Sequence, residues 1–256
     1  MVVELPHTPS FGLDGRKALV TGAGRGIGLA AATALANVGA EVLLTARTKS
    51  EIDEAAKAIC DTGRSASAQV LDVTDRAGVQ AVVDGAGPFH VLFNNAGMNR
   101  PALAVNVTES DYDEVMGLNV KAAYFTAQMV ARNMIDAGVA GSIINVSSQM
   151  GHVGAQGRTV YCASKHAIEG FTRALAWEVG EYGIRVNTLC PTFIETPMTR
   201  PMLADTEFMD RVLSKIALGR VGTVEDIMGA VVYLASDASQ LVTGSALLVD
   251  GGWTAN

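Results

Sequence analysis

At 256 residues the chain is long enough to bury one substantial core. Its 49% apolar and 18% charged residues exclude a disordered polymer. A net charge of −7 without any Lys/Arg run argues against nucleic acid or an anionic membrane as partner, and no apolar run reaches the roughly 18 residues of a membrane helix. The start, MVVELPHTPSFGLDG, lacks the basic region and apolar core of a secretion signal. Cys60, Cys162 and Cys190 are odd in number and without metal-ligand spacing, and the four histidines are isolated. Reduced thiols in a cytoplasm, and no metal, are the expectation.

In chain order, KALVTG (17–22) reads as a buried strand and GLAAATALANVG (28–39) as an Ala-rich helix stopped by Gly39. AEVLLTAR (40–47) is the next strand, followed by a helix over about 50–61 with Ser50 as a possible N-cap. SAQVLDV (67–73), FHVLFNNAG (89–97), GSIINVSS (141–148), IRVNTLCP (184–191) and SALLVDGG (245–252) share the strand character. Long helical patterns fill 109–136, 161–182 and 223–236. Strands without clean alternation belong in sheets covered on both faces. The β-α-β order predicts an α/β fold, a single doubly wound parallel sheet of Rossmann type. With no repeat or linker visible, a single domain is expected, taken as 12–256 after a tail of 1–11, with a lid of helical character expected at about 193–216.

Ligands of such folds bind at the carboxyl ends of the strands. TGAGRGIG, TART, LDVTD, NNAG, SSQMG and CPTFIETPM all fall there. TGAGRGIG follows a strand and opens a helix, so its N–H groups can face a pyrophosphate. The common G-x-G-x-x-G spacing fails, because Ile27 occupies the third position; the glycines run through Gly22, Gly26 and Gly28. At the tip of the second strand Ala46 stands where an acidic residue would hold a ribose, and Arg47 follows it. Arg47 with Arg25 suits a 2′-phosphate, so NADP(H) is the expected preference, with NAD(H) possible.

Tyr161 and Lys165 lie four residues apart on one face of a helix. Alone, that spacing is weak. With TGAGRGIG, NNAG, the Asn of GLNV, NVSSQMG and YCASK in this order, however, the chain resembles the short-chain dehydrogenases/reductases over residues 12–253. The resemblance implies catalytic Asn119, Ser148, Tyr161 and Lys165, with Ser147 the nearest rival to Ser148. Tyr161 would move the proton, aided by a Lys165 ammonium that lowers the phenol's pKa, and Ser148 would hold the substrate oxygen. Asn119 would help hold a water linking Lys165 to solvent, unless it is a buried polar group satisfied by backbone. The implied cofactor contacts are Gly22, Arg25, Gly26, Ile27, Gly28 and Arg47. Asp72 and Val73 would meet the adenine, Asn95, Ala96 and Gly97 the nicotinamide ribose, and Ile194 and Thr196 the carboxamide, with Tyr161 and Lys165 also touching the cofactor. Where the family usually has Pro-Gly, this chain has Pro191-Thr192.

Substrate selection is expected from 98–105, 149–158 and the lid, with Ser148, Gln149, His152 and Arg158 as candidate contacts. Arg158 reads equally well as structural. The pattern is close to two subgroups, 3-oxoacyl-[acyl-carrier-protein] reductases and gluconate or glucose dehydrogenases. Val139 and Tyr182 stand where carrier reductases place basic docking residues, and the net charge is negative. A small polar or sugar-like alcohol or ketone is therefore expected. A catalytically silent dinucleotide-binding regulator is the reading of another class. The family also implies a homotetramer.

Overall fold

A computed structural model describes residues 3–255; the first two residues of the expected tail and Asn256 lie outside that range. Seven parallel strands form one sheet in the order β3-β2-β1-β4-β5-β6-β7. They are β1 (Lys17–Thr21), β2 (Glu41–Ala46), β3 (Ala66–Val70), β4 (Val91–Asn94), β5 (Gly141–Val146), β6 (Ile184–Pro191) and β7 (Ala246–Val249). Successive strand residues point to opposite faces. Ala18, Val20, Val42, Leu44, Val91, Phe93 and Ile144 enter one core, while Leu19, Leu43, Leu92 and Ile143 enter the other. Both faces are thus buried, which is why the strands lack a polar alternation.

The first core is covered by α1 (Gly26–Asn37), α2 (Lys49–Asp61) and α9 (Glu225–Ala235). The second is covered by α3 (Arg76–Ala86), α5 (Ala123–Asp136) and α6 (Thr159–Val179). Helix α4 (Glu109–Met116) runs into α5 through a π-helical stretch, Gly117–Ala122, so the pattern over 109–136 is one helix with a widened turn. Helix α3, with two glycines in eleven residues, is too short and interrupted to stand out in the sequence. Asp75 caps it by accepting from the Ala77 N–H. Helix α2 begins one residue earlier than expected: Thr48 occupies the cap position, without a side-chain cap, and Ser50 falls inside the first turn. The 193–216 segment contains α7 (Arg200–Leu203) and α8 (Thr206–Leu213).

The chain leaves β1 toward β2 and β3 and then returns to the other side of β1 as β4. The reversal opens a crevice between the ends of β1 and β4. Its two lips are tied together. The Thr21 hydroxyl accepts from the N–H groups of Asn95 (2.9 Å) and Ala96 (3.1 Å), and the Asn95 amide donates to the carbonyls of Thr21 (3.0 Å) and Gly22 (3.1 Å).

Candidate active site

A cleft of about 1140 Å³ opens at the carboxyl end of the sheet. Its wall brings together residues from across the chain: Gly22, Arg25, Gly26 and Ile27; Arg47; Asp72 and Val73; Asn95, Ala96 and Gly97; Ser148 and Gln149; Arg158, Tyr161 and Lys165; Ile194 and Thr196. Three expected residues lie outside that wall: Gly28, Asn119 and His152.

Gly28 packs the helix rather than facing the cleft. A Cβ there would overlap the Gly22 carbonyl, so only glycine lets α1 start so close to β1. Gly22 and Gly26 have positive φ (63° and 57°), conformations that side chains resist. The cradle therefore presents backbone at the amino end of α1, as an anionic pyrophosphate requires. Together with the long cleft beyond it, lined by both polar and apolar side chains, this arrangement fits a dinucleotide.

The two arginines at the adenosine end differ. Arg25 donates to Glu51 at 3.1 Å, so much of its charge is already answered. Glu51 packs under Gly24, where a Cβ would meet its carboxylate at 2.9 Å. Exposed Arg47 has no ion-pair partner among the described residues. Of the expected pair of phosphate-binding arginines, both at the cleft, Arg47 is thus unpaired and Arg25 shares its charge with Glu51. Asp72 is held below the usual carboxylate range, chiefly by hydrogen bonds from the Thr74 N–H and hydroxyl, and Arg47 adds to this.

Asn119 lies on the π-helical turn and is buried. Its Oδ1 accepts from the Met98 N–H at 2.8 Å, and its Nδ2 donates to the Met98 carbonyl (2.9 Å) and to Ser164 Oγ (3.1 Å). Both amide hydrogens are spent on protein, so any water the side chain holds would have to donate to it. The side chain ties the segment after NNAG to α6.

Lys165 Nζ donates to the Val146 carbonyl at 2.8 Å and lies 5.5 Å from the centre of the Tyr161 ring. The lowering of the Tyr161 pKa expected from Lys165 and the oxidised nicotinamide concerns the cofactor-bound state; without cofactor the phenol lies higher. Burial around the phenol dominates and pushes it up to about 12, offset in part by the Ser148 hydroxyl and the Arg158 guanidinium. Burial also pulls Lys165 down to about 8, with the field of Cys190 and Glu169 acting the other way. Without a cofactor, then, the phenol holds its proton firmly and the ammonium is the more labile group. Ser148 Oγ donates to Gln149 Oε1 at 2.6 Å and accepts from the Met150 N–H at 3.1 Å.

Arg158 occupies the cap position of α6 and is 7% exposed. Its Nη2 reaches Met202 Sδ in the lid at 3.5 Å, while Nη1 has no hydrogen-bond partner. Nearby Asn99 Oδ1 and Thr192 Oγ1 are also buried without partners, and all three residues line the cleft. Asn99 belongs to the expected specificity segment, but nothing in the sequence singled it out. Thr192 was visible only as the departure from Pro-Gly. His152 turns away from the cleft, with Nε2 3.5 Å from Cys190 Sγ and 3.6 Å from Glu169 Oε1.

A parallel seven-stranded sheet with a glycine cradle, a Tyr/Lys pair and a buried arginine on one rim defines a dinucleotide-dependent oxidoreductase site. The family profile described as Enoyl-(Acyl carrier protein) reductase matches residues 22–254. Gluconate 5-dehydrogenase of Gluconobacter oxydans (strain 621H) is 41% identical over 254 residues, 98% of this chain and 99% of the relative. 3-oxoacyl-[acyl-carrier-protein] reductase FabG of Thermotoga maritima is 40% identical, over 94% and 98% of the two chains. A solved gluconate 5-dehydrogenase from Burkholderia cenocepacia J2315, in complex with NADP and tartrate, superposes with TM-score 0.92 at 37% identity, covering 96% and 98%. The chain belongs to the short-chain dehydrogenase/reductase family, whose members named here act on CH–OH groups or their carbonyl counterparts.

Proposed function

We propose that this protein is an NADP(H)-dependent oxidoreductase interconverting a secondary alcohol and a ketone on a sugar acid or related polyhydroxy acid. The observation that carries the substrate class is Arg158. A guanidinium almost wholly out of water, without a carboxylate partner and with Nη1 unbonded, is costly to keep, on the order of 3–5 kcal/mol for an uncompensated buried charge. A substrate carboxylate beside Tyr161 would repay that cost, and Asn99 Oδ1 and Thr192 Oγ1 offer further partners to hydroxyl groups. The relatives named for gluconate, and the neighbour holding tartrate, support the same chemistry.

The cofactor, once bound, supplies or accepts the hydride. Tyr161, its proton held up to about 12, donates it to the developing alkoxide during reduction. Ser148 exchanges its bond to Gln149 for one to the substrate oxygen, and Lys165 holds positive charge beneath the phenol. Asn119 acts as a positioning residue between Met98 and α6. Arg47 takes the 2′-phosphate, with Asp72 and Val73 toward the adenine and Ile194 and Thr196 toward the carboxamide. Residues 193–216 lie over the substrate end of the cleft as its lid, with Met202 already against Arg158.

Four apolar side chains, Trp177 (90% exposed), Tyr124, Leu241 and Leu248, stand out from the surface and support assembly as a homotetramer. Three free cysteines, and no described helix long and apolar enough to cross a membrane, support a cytoplasmic setting. Val139 and the net charge of −7 disfavour docking of an acidic carrier protein. The test is a screen in both directions with NADP(H) and NAD(H) over sugar acids, neutral sugars, polyols and carrier-bound 3-oxoacyl groups. Highest kcat/KM on a polyhydroxy acid with NADP(H) is expected. Preference for a neutral sugar, for the carrier substrate, or equal use of both cofactors contradicts the corresponding part.

A further inference from the structure

Behind Lys165 three donors that are far apart in sequence converge. His152 comes from the loop after β5, Glu169 from α6 one turn beyond Lys165, and Cys190 from the carboxyl end of β6. Glu169 and Cys190 are buried, and the His152 side chain is 25% exposed, which gives the cluster a way in from solvent. The ligand-capable atoms form a nearly equilateral triangle. His152 Nε2 to Cys190 Sγ is 3.5 Å, Cys190 Sγ to Glu169 Oε1 is 3.3 Å, and His152 Nε2 to Glu169 Oε1 is 3.6 Å.

Tetrahedral zinc with ordinary bond lengths of about 2.0–2.3 Å to N, O and S spaces its ligands about 3.3–3.6 Å apart. The triangle already has those edges, so one cation just off its plane would reach all three atoms without rearranging the backbone. From these distances we infer that His152, Glu169 and Cys190 form a binding site for a thiophilic divalent cation, zinc foremost. The donor set excludes magnesium and calcium, which take oxygen ligands.

The surroundings fit as well. Thr188 Oγ1 donates to Glu169 Oε2 at 3.1 Å and Arg173 Nη2 stands 3.8 Å from the same oxygen, so Oε1 is the oxygen left facing the triangle. Ser147 Oγ is buried and lies beside Cys190 at the edge of the cluster, a candidate fourth ligand. Gly151 allows the loop to close this tightly: a Cβ there would lie 2.8 Å from Ser147 Oγ and 3.2 Å from Glu169 Cγ. On binding, the Cys190 S–H bond breaks, its electron pair forms the S–Zn bond, and the proton leaves to solvent. The thiolate and carboxylate then balance the charge of the cation, and no oxidant or reductant is involved.

The site is independent of the proposed substrate, so its test reads metal rather than turnover. Full-length protein stripped with a chelator is titrated with Co2+ alone, followed by displacement with Zn2+. One equivalent per chain is expected, with the thiolate-to-cobalt charge-transfer band and the intense visible bands of tetrahedral cobalt. Cys190→Ser should lose the charge-transfer band. His152→Asn changes a partly exposed loop residue and keeps the test alive if the cysteine variant does not fold; it should weaken binding about tenfold or more. Wild-type protein without the thiolate band, or equal affinity in wild type and His152→Asn, overturns the site.

Discussion

Two arginines packed against the same sheet have opposite surroundings. Arg185 lies at the amino end of β6, and its guanidinium donates to three backbone carbonyls, those of Leu234 (2.8 Å), Ser236 (3.2 Å) and Val242 (3.4 Å). Its neighbourhood is closed in the same way. Lys17 Nζ donates to the Ala86 carbonyl, Ser142 Oγ to the Leu234 carbonyl, and Arg16 pairs with Asp237. At the carboxyl rim Arg158 has only a methionine sulfur and an unbonded nitrogen. Of the six buried side-chain atoms without partners among the described residues, those of Asn99, Ser147, Arg158 and Thr192 line the cleft. One end of the sheet satisfies most of its polar groups internally, Asn133 Oδ1 beside Gly87 excepted, and contributes stability. The other leaves several of them unsatisfied, and a withheld partner in a cleft is what a ligand supplies.

The contrast can be broken at several points. The largest effect is expected at Tyr161→Phe. Loss of the proton donor should lower kcat by roughly 10²–10⁴-fold, while NADPH binding, followed by fluorescence, stays intact. A smaller loss comes from pH. Below about 8 Lys165 is charged and Tyr161 protonated, the state that reduction needs. As pH rises through about 8 the ammonium is lost while the phenol, at about 12, still holds its proton. Reductive kcat/KM, which reports groups of the enzyme before substrate binds, should therefore be flat below that point and fall above it; a steady rise through this range would show that another group controls the proton. At the closed end, Arg185→Met should remove stability, on the order of 1 kcal/mol by denaturant unfolding, because its three hydrogen bonds are lost while the Leu234, Ser236 and Val242 carbonyls each keep another donor. KM should be unmoved. The smallest change is expected at Thr192→Val, where a KM increase of about a few-fold on hydroxylated substrates is the sign that its hydroxyl meets one.

Much of this could be read from the chain because the chemistry is local there. TGAGRGIG, NNAG and YCASK each place their residues through a single strand–loop–helix junction, and the β6 expectation over 184–191 coincides with the strand. Where the reading fell short, the cause was three-dimensional. The Arg25–Glu51 pair joins the glycine loop to α2, and Asn119 is claimed by Met98 and Ser164. Gly28 is dictated by the approach of a backbone six residues earlier, not by a ligand. The His152–Glu169–Cys190 triangle draws one donor from each of three elements, so no spacing rule could reveal it. Arg158 was legible as a residue but not in its role, since whether a guanidinium has a partner is a property of the packed structure.

The most direct test compares Arg158→Met with wild type on two substrates, a polyhydroxy acid and the neutral polyol of the same chain length. Losing a charged hydrogen-bonded partner should raise KM for the acid about ten- to hundredfold, the equivalent of about 1.5–3 kcal/mol. KM and kcat for the neutral polyol should change little. An equal loss on both substrates would make Arg158 a brace of α6, like Arg185 at the other end, and would contradict the assignment of a carboxylate to this cleft.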